Sequence, residues 1–155
     1  MASSPEKRIQ ELHLTLPPAP KPVAVYKTAV QYGNLLFISG HGPLKADKTL
    51  IKGRLGQDMT LEQGKEAARQ VGLAILATVQ STLGSLDKVK RLIKTFGMVN
   101  CTDDFVDQPQ VINGFSELMK DVFGEEAGVG ARSAVGHNSL PGNIAVEVEC
   151  IFEVA

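Results

Sequence analysis

Two segments of the chain repeat apolar residues with the spacing of an α-helix. The first follows Thr60–Gln63, which matches a capping box, and its apolar stripe ends near Gly84. The second covers residues 108–123, with Asp107 as a candidate N-cap and Gly124 as the residue that stops it. These patterns predict two long helices, each with one apolar face packed on a sheet.

Five further segments have the alternation or the β-branched composition of strands. The first two flank Gly33-Asn34, a pair suited to a tight hairpin, and the third is apolar on both faces, as in an interior strand. The order ββαβαββ predicts an α+β domain in which a mixed sheet carries two helices on one face. The five segments are 23–32, 35–39, 89–101, 131–136 and 143–154.

The N-terminal part of the chain has a different composition. Residues 16–22 read Leu-Pro-Pro-Ala-Pro-Lys-Pro, and proline fixes φ and removes a backbone donor. We therefore expect residues 1–22 to form an extended lead-in and residues 23–155 to form one domain, with no internal repeat.

Charge and cysteine content limit the partners and the compartment. The 155 residues include 16 basic and 17 acidic side chains, so the net charge of −1 provides no field that would collect nucleic acid or anionic lipid. No apolar stretch approaches the ~18 residues of a membrane span, and the first residues lack the apolar core of a signal peptide. Cys101 and Cys150 are expected to be buried free thiols. These features favour a cytoplasmic protein with neither nucleic-acid nor membrane partners.

Searches for familiar catalytic motifs exclude several chemistries. No phosphate loop, dinucleotide fingerprint or nucleophile elbow is present, so we expect no cofactor. His13, His41 and His137 are far apart in sequence and lack the short spacing typical of metal ligands, so we predict no metal site. Ser39 and His41 lack a carboxylate for a triad. We expect His41 and His137 to be exposed loop histidines outside any site.

Arg132 stands among small and apolar neighbours, where a guanidinium needs an anion. If the last two strands pair around a turn between Ser139 and Leu140, Arg132 faces Glu147. Two interpretations stay open from the residues alone. One is an exposed cross-strand ion pair, worth less than about 1 kcal/mol; the other is an anion-binding site.

The chain resembles the YjgF/RidA family from about Pro22 to its end. The resemblance rests on Tyr26 with the segment 33–40 (Gly-Asn-Leu-Leu-Phe-Ile-Ser-Gly), and on Ala131-Arg132-Ser133, Leu140-Pro141 and Val146-Glu147-Val148-Glu149. A middle segment with Asn113 fits more loosely.

This resemblance implies a chorismate-mutase-like α+β fold that assembles as a homotrimer, with clefts between subunits. It also implies hydrolysis of reactive 2-imino and enamino acids to 2-keto acids and ammonia. Arg132 would bind the substrate carboxylate through a planar fork, and Glu147 would position and polarise the attacking water. Tyr26 would line the pocket, and the backbone at Gly40 would approach the ligand closely.

Some positions depart from the family pattern and indicate a divergent subgroup. Ala134 replaces a frequent cysteine, His41 follows the Ser-Gly turn where many members have glutamine, and the loop 136–139 also differs. The natural substrate is therefore open. One alternative is a non-catalytic binder of small carboxylates in the same trimer. The other, a ribonuclease or translation inhibitor, is disfavoured by the near-zero net charge and the few aromatic residues.

Overall fold

The structure, a computed structural model, describes residues 3–155; the first two residues of the predicted lead-in lie outside the described residues. Within that range a five-stranded sheet carries its two long helices on one face, which confirms the predicted single α+β domain. The elements are α1 (Pro5–Glu11), β1 (Ala29–Tyr32), β2 (Leu35–His41), α2 (Leu61–Leu83), β3 (Val89–Asn100), α3 (Gln108–Gly128), β4 (Ala131–His137) and β5 (Val146–Val154).

The last two strands do not pair directly, so the condition under which Arg132 would face Glu147 is not met. The sheet order is β1-β2-β5-β3-β4, so β3 lies between β4 and β5. Helix α3 returns the chain so that β4 runs parallel to β3, and the connection over residues 138–145 then carries it past β3 to an antiparallel place beside β2. That connection is longer than the two to five residues typical of a β-hairpin loop.

The long helices follow their sequence signals closely. Thr60 Oγ1 accepts from the Gln63 backbone N–H at 3.2 Å, and Gln63 Oε1 accepts from the Thr60 N–H at 2.9 Å, which confirms the capping box. Gly84 ends α2 with a φ of 85°. Gly124, with a φ of 88°, breaks α3 where its end was predicted, although a further turn continues to Gly128.

The N-terminal lead-in is not extended throughout, because residues Pro5–Glu11 form α1. Ser4 caps this helix, and the Glu6 carboxylate accepts from the Leu86 backbone N–H at 2.7 Å and from Gln80 Nε2 at 2.9 Å. Ile9 is buried in the core. Sequence periodicity missed this helix because seven residues give only two turns and one buried position.

The predicted first strand is also shorter than expected. Pairing with β2 covers only Ala29–Tyr32, through a turn in which Gly33 has a φ of 61°. Val23 and Val25, which were predicted to belong to this strand, lie outside the sheet and are exposed.

The two faces of the sheet differ in cover. Helices α2 and α3 bury one face, where Val148 and Phe152 of β5 lie. The other face, called the open face below, bears Phe37, Met98 and Glu147, and no helix of the described residues lies over it. Both cysteines are buried free thiols, as predicted. Among residues 3–155, no helix combines the length and hydropathy needed to span a membrane.

Close approach of α2 to α3 depends on glycine. A Cβ placed on Gly114 would collide with the backbone carbonyl oxygen of Lys65, and a Cβ on Gly72 would lie 2.7 Å from Leu118 Cδ2. The Gly114 contact involves backbone on both helices, so no side-chain rotation can relieve it.

We predict that Gly114→Ala lowers the free energy of unfolding by about 1–3 kcal/mol, as overpacking does, despite the better helix propensity of alanine. Urea unfolding measures the change. Glu117→Ala, an exposed position on the same helix, is the matched control and should change stability little. Equal stability of both variants and the native protein would contradict the tight crossing.

Candidate functional site

A cleft of about 910 Å³ lies where the end of β2 meets the start of β5. Its floor includes Gly40, His41 and Glu147, and Tyr26 lies on its rim. Residues 18–23 are called the proline-rich strap below, and all of them except Pro22 line one wall. The loops 42–50 and 141–144 contribute the others. Three of the four predicted site residues, Tyr26, Gly40 and Glu147, are thus brought together.

A β-bulge seats the Glu147 carboxylate. The pairing of β2 with β5 shifts between Ile38 and His41, which inserts one extra residue into β2. At the bulge, Gly40 faces Glu147 so closely that an added Cβ would lie 2.5 Å from Glu147 Oε2. Gly40 was predicted to allow a ligand to approach the backbone; the structure shows that it makes room for the Glu147 carboxylate.

The surroundings of Glu147 favour its protonated form. Partial burial raises the pKa of Glu147, the like charge of Glu149 raises it further, and the charge of His137 acts in the opposite direction. A carboxylate with a raised pKa is a stronger base than a fully solvated one. Glu147 is therefore suited to accept a proton from a bound water.

Arg132 lies on the opposite face of the sheet from Glu147. Arg132 pairs with Thr95 and Glu147 with Met98; these two residues are three apart on β3, so their side chains point to opposite faces. The cross-strand contact between Arg132 and Glu147 that the sequence suggested is therefore wrong. Among residues 3–155, no carboxylate forms an ion pair with Arg132.

Helix α3 holds the Arg132 guanidinium. Nη1 donates to Asn113 Oδ1 at 2.7 Å and to Ser116 Oγ at 3.2 Å, and Nη2 donates to the Pro109 carbonyl at 3.4 Å. All three acceptors are neutral, so the positive charge of Arg132 stays uncompensated and available to an anion. Asn113, which fitted the family pattern only loosely, is one of the residues that orient it.

His41 is not the exposed loop histidine that we expected, and neither is His137, which is half-buried at the end of β4. The His41 side chain is only 4% exposed, and it points from the end of β2 towards α2. Nδ1 lies 2.6 Å from the Ser39 carbonyl, which can only accept, so Nδ1 carries the proton. Nε2, at 2.7 Å from Thr78 Oγ1, then accepts from the hydroxyl. His41 thus ties the bulge to α2.

Two lysines on the cleft were not identified from the sequence. Lys21 belongs to the proline-rich strap, and Lys48 lies in a tight turn with a φ of 70°. Both are exposed, and each brings a positive charge to the rim of the cleft. The composition of the strap predicted extended chain but gave no information about which surface it covers.

Within residues 3–155, no group of three His, Cys, Asp or Glu side chains could hold a metal ion.

We predict a pH-dependent stability that depends on His41. Burial lowers the pKa of His41, against the opposing effect of its bond to Ser39. Below about pH 6.5 the His41 imidazole binds a proton in the unfolded chain but stays neutral in the folded protein. The free energy of unfolding therefore falls as the pH falls, by at most about 1.4 kcal/mol per pH unit. Urea unfolding between pH 7.5 and 5.5 should give a smaller loss for His41→Gln than for the native protein. His13→Gln is the control, and equal losses in all three proteins would refute the assignment.

Comparison with known proteins identifies the family. The model of the family described as "YjgF/chorismate_mutase-like, putative endoribonuclease" matches residues 6–153. Protein TCP17 of Trypanosoma cruzi is 40% identical over 146 residues, covering 94% of this chain and 91% of that protein. Crystallised Atu1372 of Agrobacterium tumefaciens, of unknown function, has 40% identity and a TM-score of 0.89, covering 97% of this chain and 92% of that one.

A relative with a named reaction is more distant. The 2-iminobutanoate/2-iminopropanoate deaminase of Dermatophagoides farinae is 28% identical over 145 residues, covering 91% of this chain and 94% of that protein. The family model and the 40% identical relative both extend over nearly all of the chain. On these matches, the chain belongs to the YjgF/chorismate-mutase-like family that includes the RidA proteins.

Proposed function

We propose that this protein hydrolyses reactive 2-imino and enamino acids to 2-keto acids and ammonia. The observation that carries the proposal is the seat of Glu147: a half-buried carboxylate with a raised pKa, placed against Gly40 on the floor of an open cleft. A basic carboxylate in a cleft that admits water and a small ligand suits general-base catalysis. The Dermatophagoides farinae deaminase, a relative over most of the chain, supports the same reaction class.

The reaction needs one water and no external oxidant or reductant. Glu147 accepts a proton while the water oxygen bonds to the imine carbon, which gives a tetrahedral carbinolamine. Glu147 returns that proton to the nitrogen as the carbinolamine forms, then takes the proton of the new hydroxyl group and passes it to the nitrogen as well. The C–N bond breaks as the C=O bond forms, and ammonia and the 2-keto acid leave. Tyr26, on the rim of the same cleft, supplies a hydroxyl that can hydrogen-bond to the nitrogen or the water.

The substrate carboxylate requires a cation, and we assign Arg132 of a neighbouring subunit to it. Within one chain the sheet separates Arg132 from Glu147, whereas β4 is an edge strand that a second copy can approach. The family resemblance points to a homotrimer with its sites between subunits. The open face also exposes Val30, Phe37 and Val135, apolar side chains that an assembly would cover.

The proposed reaction has no need of a cofactor or metal. We also propose a cytoplasmic location, which the two buried, unpaired thiols support. Endoribonuclease activity has less support, because the net charge of −1 attracts no phosphate backbone and the few aromatic residues offer little base stacking.

We predict that mixed oligomers recover activity that neither single variant has. Glu147→Gln should lower kcat/KM by about 10²–10⁴-fold, the usual contribution of a general base, and Arg132→Ala should remove the carboxylate anchor. If each site takes Arg132 from one subunit and Glu147 from its neighbour, every mixed trimer keeps one intact site, or about one third of native activity. Formation of 2-keto acid from freshly generated 2-aminoacrylate and 2-aminocrotonate measures the rate.

The mixed trimers are obtained by co-expressing the two variants with different tags and purifying through both. Each variant alone and a reaction without protein are the controls. Mixed oligomers no faster than the single variants would place the site within one chain and make Lys21 or Lys48 the carboxylate anchor. Native protein no faster than buffer would leave a non-catalytic carboxylate binder.

We predict that Gly40→Ala impairs catalysis without unfolding the protein. The added methyl displaces the end of a flexible side chain, Glu147, and a misplacement of about 1 Å can cost on the order of 10²-fold in rate. Gly42→Ala is the matched control, since its methyl would meet Ile144 and Leu50 instead. Melting temperature and kcat/KM are measured together; unchanged kcat/KM in Gly40→Ala would remove the bulge from the mechanism.

A further inference from the structure

The cleft has apolar walls above a polar floor. Pro18, Pro20 and Val23 of the proline-rich strap form one wall. Leu44, Leu50 and Ile144 come from the loops that form the others. The acidic groups, Glu147 and Glu149, lie on β5 below them. A ligand whose reactive atoms lie at Glu147 therefore extends its remaining part among apolar side chains.

The strap is held from its two ends. Before it, Leu12, Leu14 and Leu16 pack on the core and Pro17 is buried. After it, Ser39 Oγ donates to the Lys27 carbonyl at 2.6 Å, and Ser39 N donates to the Thr28 carbonyl at 3.0 Å. Within the described chain, no hydrogen bond ties residues 15–25 to the sheet. The strap keeps its place through these anchors and through prolines that restrict its backbone.

The size of the cleft exceeds what the smallest imino acids need. Clefts that hold drug-sized ligands measure about 300–1,000 Å³, and this cleft of about 910 Å³ lies near the upper end of that range. A three-carbon imino acid at Glu147 would leave water against the prolines and leucines of the walls. An apolar side chain on the substrate would displace that water, which is the favourable direction of the hydrophobic effect.

We propose that the proline-rich strap determines specificity, and that the cleft takes 2-imino acids with a branched aliphatic or aromatic side chain. This inference rests on the proposed function, because it takes the Glu147 end of the cleft as the place of reaction. The strap, with Leu44, Leu50 and Ile144, contacts the substrate side chain. These residues act on the choice of substrate and take no part in proton transfer.

The test compares imines of increasing size in the native protein. An L-amino-acid oxidase generates them in place from alanine, 2-aminobutyrate, leucine and phenylalanine, and 2-keto acid formation is followed against semicarbazide trapping. We expect kcat/KM to rise by at least roughly 10-fold from the alanine-derived to the leucine-derived imine, as apolar contacts in a pocket produce. Equal rates, or a higher rate on the smallest imine, overturn the inference and leave the deaminase function intact.

Matched double variants separate the cleft wall from general surface effects. Val23→Asn with Leu50→Asn makes the wall polar; Val23 is 93% exposed and Leu50 38%, so the fold should tolerate both changes. Val25→Asn with Val106→Asn is the control pair, because both valines are exposed and neither lines the cleft. The first pair should lower kcat/KM on the leucine-derived imine by a larger factor than on the alanine-derived one, which abolishes the preference for large imines, whereas the second pair should keep that preference. Loss of the preference in both pairs, or in neither, contradicts the role of the strap.

A binding measurement distinguishes failure of this inference from failure of the proposed reaction. Calorimetry compares pyruvate with 4-methyl-2-oxopentanoate, which are the stable products of the small and the branched imine. We expect the larger acid to bind more tightly, and the Val23/Leu50 pair to lose this difference. That result would support the apolar cleft even if the protein accelerates no imine hydrolysis, in which case only the proposed reaction would be refuted. Equal binding of the two acids overturns the cleft preference.

Discussion

Burial of one face of β5 is the constraint on which the site depends. Val146, Val148, Cys150, Phe152 and Val154 all lie beneath the helices, and each of the larger ones contributes roughly 1.5–3 kcal/mol by leaving water. A strand alternates its side chains, so this burial also sends Glu147 and Glu149 to the open face. A slip of one residue would bury the carboxylates under α2 and α3, so the same burial holds the core together and places the proposed catalytic base.

The bulge in β2 makes room for the Glu147 carboxylate at this position. An ordinary pairing would put a side chain against Glu147; the extra residue between Ile38 and His41 presents Gly40 there instead. His41, directed towards the helices, bonds both the Ser39 carbonyl of the bulge and Thr78 of α2. The position of the Glu147 carboxylate is therefore linked to the interior of the fold, while its charge stays in the cleft.

Local features were predictable from the sequence, and long-range ones were not. The Thr60–Gln63 capping box, the stop at Gly84 and the alternation of β5 each depend on neighbouring residues, and all three are confirmed. The placement of β4 beside β3, the burial of His41 and the course of the strap depend on contacts between distant segments. The spacing of apolar residues along the chain gives no information about such contacts. Tyr26, Gly40 and Glu147 were found through the family resemblance, which carries such long-range information in its motifs.

The strap and the sheet carry separate parts of the site. Glu147 and Gly40 belong to hydrogen-bonded strands whose register the core enforces, so the fold fixes their positions. The strap has no hydrogen bond to the sheet within residues 3–155, and its residues 18 and 19 and 21–23 are exposed. Changes in strap sequence therefore cost little stability while altering the wall that we propose contacts the substrate side chain. A fold arranged in this way can keep the proposed hydrolytic centre and vary its substrate through a segment outside the sheet.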